Sequence, residues 1–130
     1  MKKILILTMI VLLMITGCNS KNTALDEVQI TKEQAEMFTT DMTASFDSKY
    51  FAIMGASVED DKTLAVVNIF SEMGDSVYSF TAGNIDNFFG VCWEKDTYNL
   101  WILTSDNGAM CYKHENGEWS FDETASNLNI

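Results

Sequence analysis

The sequence predicts an α+β fold, in which one N-terminal amphipathic helix packs on a mainly antiparallel sheet of six to seven short strands. Two observations predict it. First, apolar residues recur at steps of three and four directly after a helix-capping pattern, which is the spacing of one helix face. Second, alternating apolar segments near the C-terminus are separated by turn-forming residues at nearly even intervals, which is typical of a four-strand meander.

The predicted helix begins after Thr31, which can act as its N-cap, and Gln34 completes a capping-box pattern three residues later. Its apolar stripe consists of Ala35, Phe38, Met42 and Phe46. Because one apolar stripe on a helix normally faces the core, we expect this stripe to be buried. We expect the helix to end near Asp47, although apolar residues within 50–54 could extend it to a cap at Gly55.

The segment 50–58 also has a second interpretation, as a strand rather than a helix extension. It could pair with residues 63–70 as a hairpin, because the turn-forming residues 59–62 lie between the two segments. Residues 76–81 alternate as a further strand, and residues 83–87 are predicted to form a loop.

The C-terminal meander is predicted to have strands at residues 89–94, 99–104, 109–114 and 118–122. If the first two loops hold four residues each, Cys92 lies opposite Trp101, and Trp101 lies opposite Tyr112. A third loop of two residues then places Tyr112 opposite Phe121. The face expected to meet the helix carries Cys92, Trp101, Leu103, Met110, Tyr112, Trp119 and Phe121. The other face carries Val91, Trp93, Leu100, Ile102, Ala109 and Cys111, and then becomes polar, which leaves Trp93 near a boundary.

Residues 1–18 carry an export pattern. Lys2 and Lys3 make a cationic start, residues 4–16 carry no charge, and the run ends in Ile15-Thr16-Gly17-Cys18. This order resembles the signal peptide and lipobox of bacterial lipoproteins. The resemblance implies that diacylglycerol is attached to the thiol of Cys18 and that residues 1–17 are removed.

The apolar run is shorter than the roughly 20 residues that span a bilayer, which favours a cleaved signal over an anchor helix. Two acyl chains on Cys18 would hold the protein stably at the cell membrane, on its extracytoplasmic face. We therefore expect a lipidated cysteine and flexible tether over residues 18–29, followed by a single globular domain over residues 30–130.

Six lysines and all nineteen acidic residues follow Cys18, which amounts to a formal charge of −13. Such a surface disfavours nucleic acid and anionic lipid headgroups, because both bind basic patches. Cationic partners remain open. We expect a monomer with no cofactor.

Three groups of residues are candidates for a chemical role. His114 is the sole histidine and lies beside an Asn-Gly turn, so we expect an exposed turn residue rather than a catalytic base. Asp60 and Asp61 lack the regular oxygen spacing of a calcium loop, so no metal site is predicted. An exported protein permits a disulfide between Cys92 and Cys111. The register above places them about 10 Å apart on opposite faces, which favours free thiols, although a bulge or another strand order would reverse this.

Residues 78–121 contain ten aromatic side chains, and a small domain needs most of them for its core. We expect Trp93 and Tyr98 to stay exposed, and with Glu94 and Asp96 they form the candidate binding surface.

The leading functional interpretation is a non-enzymatic envelope interaction module that binds a protein, a peptide or a glycan. A self-protection or inhibitor lipoprotein that neutralises a toxin is an alternative, and a small envelope enzyme is a third. The segments Gly-Val-Cys-Trp-Glu, Tyr-Asn-Leu-Trp-Ile and Cys-Tyr-Lys look like parts of small exported lipoproteins of unassigned activity.

Overall fold

The computed structural model describes residues 30–124, and within them the chain forms two four-stranded antiparallel sheets. In chain order, the first sheet contains β1 (Thr43–Ala44), β2 (Tyr50–Glu59), β3 (Lys62–Ser71) and β4 (Ser76–Asn84). The second sheet contains β5 (Phe88–Trp93), β6 (Leu100–Thr104), β7 (Gly108–Glu115) and β8 (Glu118–Asp122). The predicted signal peptide, lipidation site and tether lie in residues 1–29, outside the described residues.

The prediction of a long helix is wrong, and the predicted α+β fold class is therefore wrong as well. Helix α1 (Lys32–Ala35) is a single turn, followed in the described chain by one 3-10 turn at Ile85–Asn87. The capping box at its start is formed, since the amides of Gln34 and Thr31 each donate a 3.0 Å hydrogen bond to the other residue's side chain. The apolar stripe does not become a buried face, because Met42 is 64% exposed and Phe46 is 54% exposed.

The helix stops because its continuation pairs with strands instead. Thr39 forms a bridge to Val91, with both backbone hydrogen bonds at 2.9 Å. β1 then pairs with β2 through Thr43 and Ala52. Threonines at 39, 40 and 43 favour this outcome, because β-branched side chains lose rotamer freedom in a helix and fit a strand well.

The hairpin interpretation of residues 50–58 is confirmed. β2 and β3 pair along their whole length and are joined by a two-residue turn between Glu59 and Lys62. The turn residues Asp60 and Asp61 have φ values of 50° and 65°, as the type I′ hairpin turn requires. The predicted loop at 83–87 is partly strand, because β4 continues to Asn84 before the 3-10 turn begins.

The four-strand meander is confirmed, and two of its three predicted pairings are correct. Cys92 lies opposite Trp101, and Tyr112 lies opposite Phe121. Trp101, however, lies opposite Cys111 rather than Tyr112, because the loop between β6 and β7 holds three residues and not four. A one-residue slip moves every side chain of a strand to the other face, so β7 and β8 are reversed relative to β6.

The main core lies between the two sheets. It is formed by Ala52, Ala65, Val67, Ile69 and Ala82 from the first sheet with Phe88, Val91, Trp93, Leu100, Ile102 and Trp119 from the second. The predicted inner face was therefore wrong for β5 and β6. Cys92, Trp101 and Leu103 alternate with the core residues and point to the opposite face of the second sheet, although they too are buried.

Residues 39–44 join the edges of the two sheets. Thr39 pairs with β5 of the second sheet, and Thr43 pairs with β2 of the first. Gly90 permits the close approach, because a Cβ at this position would lie 2.8 Å from the backbone nitrogen and oxygen of Thr39. This crossing segment positions the loop that carries the candidate site.

Candidate functional site

Trp93 does not form part of an exposed surface. Its side chain is 8% exposed, and its indole N–H donates a 2.9 Å hydrogen bond to the carbonyl oxygen of Thr43. Because the ring packs in the core between the sheets, the expectation that Trp93 stays exposed is wrong. Trp93 is buried, as are Trp101 and Trp119, which are 3% and 6% exposed.

Glu94 is engaged within its own loop. One carboxylate oxygen accepts the indole N–H of Trp101 at 3.0 Å, and the other accepts from Thr97 Oγ1 at 3.0 Å and Asn99 Nδ2 at 3.1 Å. These bonds hold the β5–β6 turn against β6. Asp96 is exposed at the tip of that turn with a φ of 62°. The predicted binding surface of Trp93, Glu94 and Asp96 therefore does not form, because the three side chains do not share an exposed face.

Tyr98 does sit at a partly open surface, but with partners that the sequence did not indicate. Its hydroxyl donates a 2.6 Å hydrogen bond to Asp47 Oδ2 across 51 residues of chain. Its ring stacks on Phe46, with centroids 5.5 Å apart, and meets Tyr50 edge-on at 4.8 Å. We call the four residues Phe46, Asp47, Tyr50 and Tyr98 the Tyr98 corner.

A tight loop at residues 45–50 presents Phe46 and Asp47. The Ser45 amide donates to the carbonyl oxygen of Tyr50 at 2.9 Å, and the Tyr50 amide donates to Ser45 Oγ at 3.2 Å. Ser48 adopts a φ of 62°, which turns the chain between them. The Ser-Phe-Asp-Ser-Lys composition favours such a turn, and it was the available signal against assigning these residues to the end of a helix.

The charge states of the Tyr98 corner follow from these hydrogen bonds. Desolvation raises the pKa of Asp47, but hydrogen bonds from Tyr98, the Lys49 amide and Ser45 outweigh it and hold that pKa below its usual value. The hydrogen bond to Asp47 raises the pKa of Tyr98 to about 12, with further contributions from desolvation and from the charges of Asp47 and Glu72. At neutral pH, Asp47 is therefore a carboxylate and Tyr98 a neutral phenol.

The aromatic contacts continue from the corner into the molecule through His114. The imidazole lies 5.3 Å from the Tyr98 ring, in a T-shaped arrangement, and 4.4 Å from Trp119. Its Nε2 is buried with no hydrogen-bond partner among the described residues, and desolvation lowers the pKa of His114. The expectation of an exposed turn residue is wrong, since His114 is a half-buried, neutral ring within β7.

No family model matches this chain, and neither a curated protein nor a solved structure matches it. The residues themselves are therefore the guide to what the Tyr98 corner does. A stacked, half-exposed ring beside a fixed carboxylate is suited to recognition, because both groups are already held in place before a partner arrives.

The two cysteines lie on one face of the second sheet, and this corrects the expectation that they lie on opposite faces. Trp101 on β6 lies between them, opposite Cys92 on β5 and opposite Cys111 on β7. Two strand spacings, about 10 Å, therefore separate the two cysteines. Both are free and buried, and that distance exceeds the reach of a disulfide. Burial raises the pKa of Cys92 to about 11 and that of Cys111 to about 12.

Residues 30–124 show neither a cluster of metal ligands nor a membrane-spanning helix. Among these residues, no three or more His, Cys, Asp and Glu side chains are grouped so that they could hold a metal ion. In the same part of the chain, no helix is both long and apolar enough to cross a membrane.

Proposed function

We propose that this protein is a lipoprotein anchored through Cys18 to the extracytoplasmic face of a bacterial cell membrane. It acts there as a non-enzymatic interaction module, and its Tyr98 corner contacts a protein, a peptide or a glycan. The lipobox-like Ile15-Thr16-Gly17-Cys18 supports the anchor. The exposure of Phe46, a residue that is 54% exposed while its ring stacks on Tyr98, carries the proposal of a contact site.

The rings of the Tyr98 corner are held in place before a partner binds. Aromatic side chains contribute most of the binding energy in many interfaces, and they do so best when ordering them costs little entropy. Tyr98 is fixed by its hydrogen bond to Asp47 and by the edge contact with Tyr50. Phe46 lies on this fixed ring, so a partner would meet a surface that is already ordered.

The chemistry of the described residues favours binding over catalysis. The imidazole Nε2 of His114 has no hydrogen-bond partner within residues 30–124, so no hydroxyl or thiol is placed there for it to activate. Raised pKa values of about 11 for Cys92 and about 12 for Cys111 keep both thiols protonated at neutral pH. A protonated thiol is a poor nucleophile.

The anchor is tested by replacing Cys18 with Ser. Cells are fed a radiolabelled fatty acid and then fractionated into membrane and soluble material. We expect the native chain to carry label in the membrane fraction and the variant to lose that label. Equal labelling of the two chains would contradict lipidation at Cys18.

The contact site is tested by placing a photo-crosslinking amino acid at position 46 in cells of the source bacterium. The matched control is position 58, since Val58 is also apolar and is 72% exposed. It lies eight residues from Tyr50 along β2, about 26 Å at the usual rise of a strand. We expect a discrete adduct from position 46 and none from position 58. Adducts from neither position, or equally from both, would contradict a contact site at the corner.

Self-protection is a second candidate, favoured by the formal charge of −13 after Cys18, because such a field attracts a cationic toxin. Deleting the gene separates the two roles. Under self-protection, the deleted strain becomes sensitive to culture fluid from competing strains. Under the leading proposal, that sensitivity is unchanged.

A further inference from the structure

The negative charge of Asp47 is ordered but not neutralised by the groups that bind it. Its carboxylate accepts hydrogen bonds from the hydroxyls of Tyr98 and Ser45 and from the backbone N–H of Lys49. All three donors are uncharged. They fix the orientation of the carboxylate and leave its full charge facing outward.

A second carboxylate belongs to the same surface. The amide of Glu72 donates a 2.8 Å hydrogen bond to the carbonyl oxygen of Lys49, which places Glu72 beside the 45–50 loop. Glu72 is exposed, and its charge is near enough to contribute to the raised pKa of Tyr98. The neighbouring Met73 is 83% exposed and adds a flexible apolar side chain.

Phe46 adds the face of an aromatic ring to the surface that carries the Asp47 and Glu72 carboxylates. One face of its ring stacks on Tyr98 with an interplanar angle of 29°, and more than half of the residue's surface is accessible. The free face of an aromatic ring carries partial negative charge and attracts a guanidinium or ammonium group. The ring face and the carboxylate therefore both favour a positively charged group in a partner.

We infer that the Tyr98 corner binds an arginine- or lysine-bearing segment of a protein partner, with the cation against Phe46 and beside Asp47 and an adjacent apolar residue against Met73. This inference rests on the proposed contact site and deepens it by naming the chemistry of the partner. A neutral glycan could stack on Phe46 and donate hydroxyl hydrogen bonds to a carboxylate, but it would not gain the charge–charge attraction that a cation gains from Asp47 and Glu72. An anionic partner would be repelled by them.

The test uses the full chain in a neutral detergent and a fluorescein-labelled peptide of alternating arginine and leucine. A matched peptide carries citrulline, which keeps the shape of arginine without its charge. We expect the arginine peptide to bind about tenfold more tightly than the citrulline peptide, as a cation–π contact and an exposed charge pair together imply. Equal affinity of the two peptides overturns the inference.

Two substitutions locate the cation. Phe46→Leu keeps an apolar side chain without a ring, and Asp47→Asn removes the charge. Each is expected to weaken binding of the arginine peptide by about twofold to fivefold. Asp61→Asn, in the β2–β3 turn, is the matched control, because it makes the same change in net charge at a distance. If Asp61→Asn weakens binding as much as Asp47→Asn, the attraction comes from the whole acidic protein and the inference fails.

Glu72 and Lys49, which lie beside the Tyr98 corner, provide two further substitutions with opposite expected effects. Glu72→Gln leaves the backbone hydrogen bond of Glu72 intact and should also weaken binding, whereas Lys49→Gln removes a competing cation and should strengthen it. An opposite sign for Lys49→Gln contradicts the inference.

The outcomes also separate this inference from the proposed function. Crosslinks at position 46 together with equal binding of both peptides would leave the contact site standing and remove the cationic partner. Binding of a chitin tetrasaccharide that depends on Phe46 and not on Asp47 would make the corner a glycan site and would likewise overturn the inference. Absence of both crosslinks and peptide binding would overturn both proposals.

Discussion

The indole N–H of Trp93 and the carbonyl oxygen of Thr43 are joined by a 2.9 Å hydrogen bond between residues that lie 50 positions apart in the chain. Thr43 belongs to β1 of the first sheet, and Trp93 belongs to β5 of the second. The bond therefore links the two sheets at the edge where residues 39–44 cross between them. Its position explains why Trp93 stabilises the fold instead of presenting a binding surface.

Trp93→Ala should lower the free energy of unfolding by about 3–5 kcal/mol, because it leaves a large cavity between the sheets. Trp101→Ala should fall in the same range, since Trp101 is 3% exposed. Urea unfolding of the full chain, followed by circular dichroism, measures both. Lys62→Ala, at an exposed position of the β2–β3 hairpin, is the control and should cost little. A Trp93→Ala midpoint equal to that of the control would contradict its burial.

Gly90→Ala should destabilise the protein by about 1–3 kcal/mol, because the added Cβ would lie 2.8 Å from the backbone of Thr39. The strain should push residues 39–44 away from β5. Amide hydrogen exchange of Thr39 and Val91 should therefore accelerate more than exchange within β3.

Gly55→Ala is the matched control for Gly90→Ala. An added Cβ at Gly55, in the middle of β2, meets no atom within 4 Å, and its φ needs no glycine. We expect this variant to be neutral or slightly more stable than the native chain, since a glycine inside a strand costs conformational entropy. Equal destabilisation by the two substitutions would show that the close approach at Gly90 is not the cause.

Glu94→Gln should cost about 1–3 kcal/mol, because an amide has one accepting oxygen where the carboxylate uses two. At least one of the donors Trp101 Nε1, Thr97 Oγ1 and Asn99 Nδ2 would then face an NH₂ group. The same substitution should lower the pKa of Cys111, since desolvation raises that pKa first and the charge of Glu94 contributes next. Alkylation rates of Cys111 measured between pH 8 and 11 check this. An unchanged rate profile would mean that Glu94 is too well screened to matter.

Stability should decline at alkaline pH because of the buried thiols. Folding raises the pKa of Cys92 to about 11 and that of Cys111 to about 12, compared with about 8.5 for an unfolded cysteine. Above the unfolded pKa, the unfolded chain loses these protons first, so the free energy of unfolding falls as pH rises from about 9 toward 12. Urea midpoints across this range measure the slope. The double variant Cys92→Ala with Cys111→Ala should show a shallower slope, and an identical slope would assign the decline to other groups.

The strands and turns of residues 50–122 were largely predictable because their signals are local. The pair Asp60-Asp61 tolerates the positive φ of a type I′ turn, and β3 is visible as the short apolar, β-branched run Leu-Ala-Val-Val-Asn-Ile-Phe. The capping box of Thr31 and Gln34 was also predictable, since both partners lie within one turn. A capping box, however, starts a helix without deciding its length.

The candidate site was predictable only for Tyr98. Glu94 looked like a free surface carboxylate, but it accepts three hydrogen bonds from groups that the turn brings to it. Phe46 and Asp47 lie about fifty residues before Tyr98, and the loop that presents them was assigned to a helix. No local pattern connects these segments, because their contact depends on residues 39–44 crossing from one sheet to the other.

The sequence by itself determined where strands and turns form in most of the described chain, because alternation and turn chemistry act between neighbouring residues. Only the tertiary structure decided that residues 39–47 form an edge and a loop instead of a helix, and which face of β6 meets the other sheet. Strand β6 carries apolar side chains on both of its faces, such as Trp101 on one and Leu100 on the other, so its sequence allows either face to be buried. The choice between them is made by long-range pairing and packing, whose free energy exceeds the small differences in local propensity.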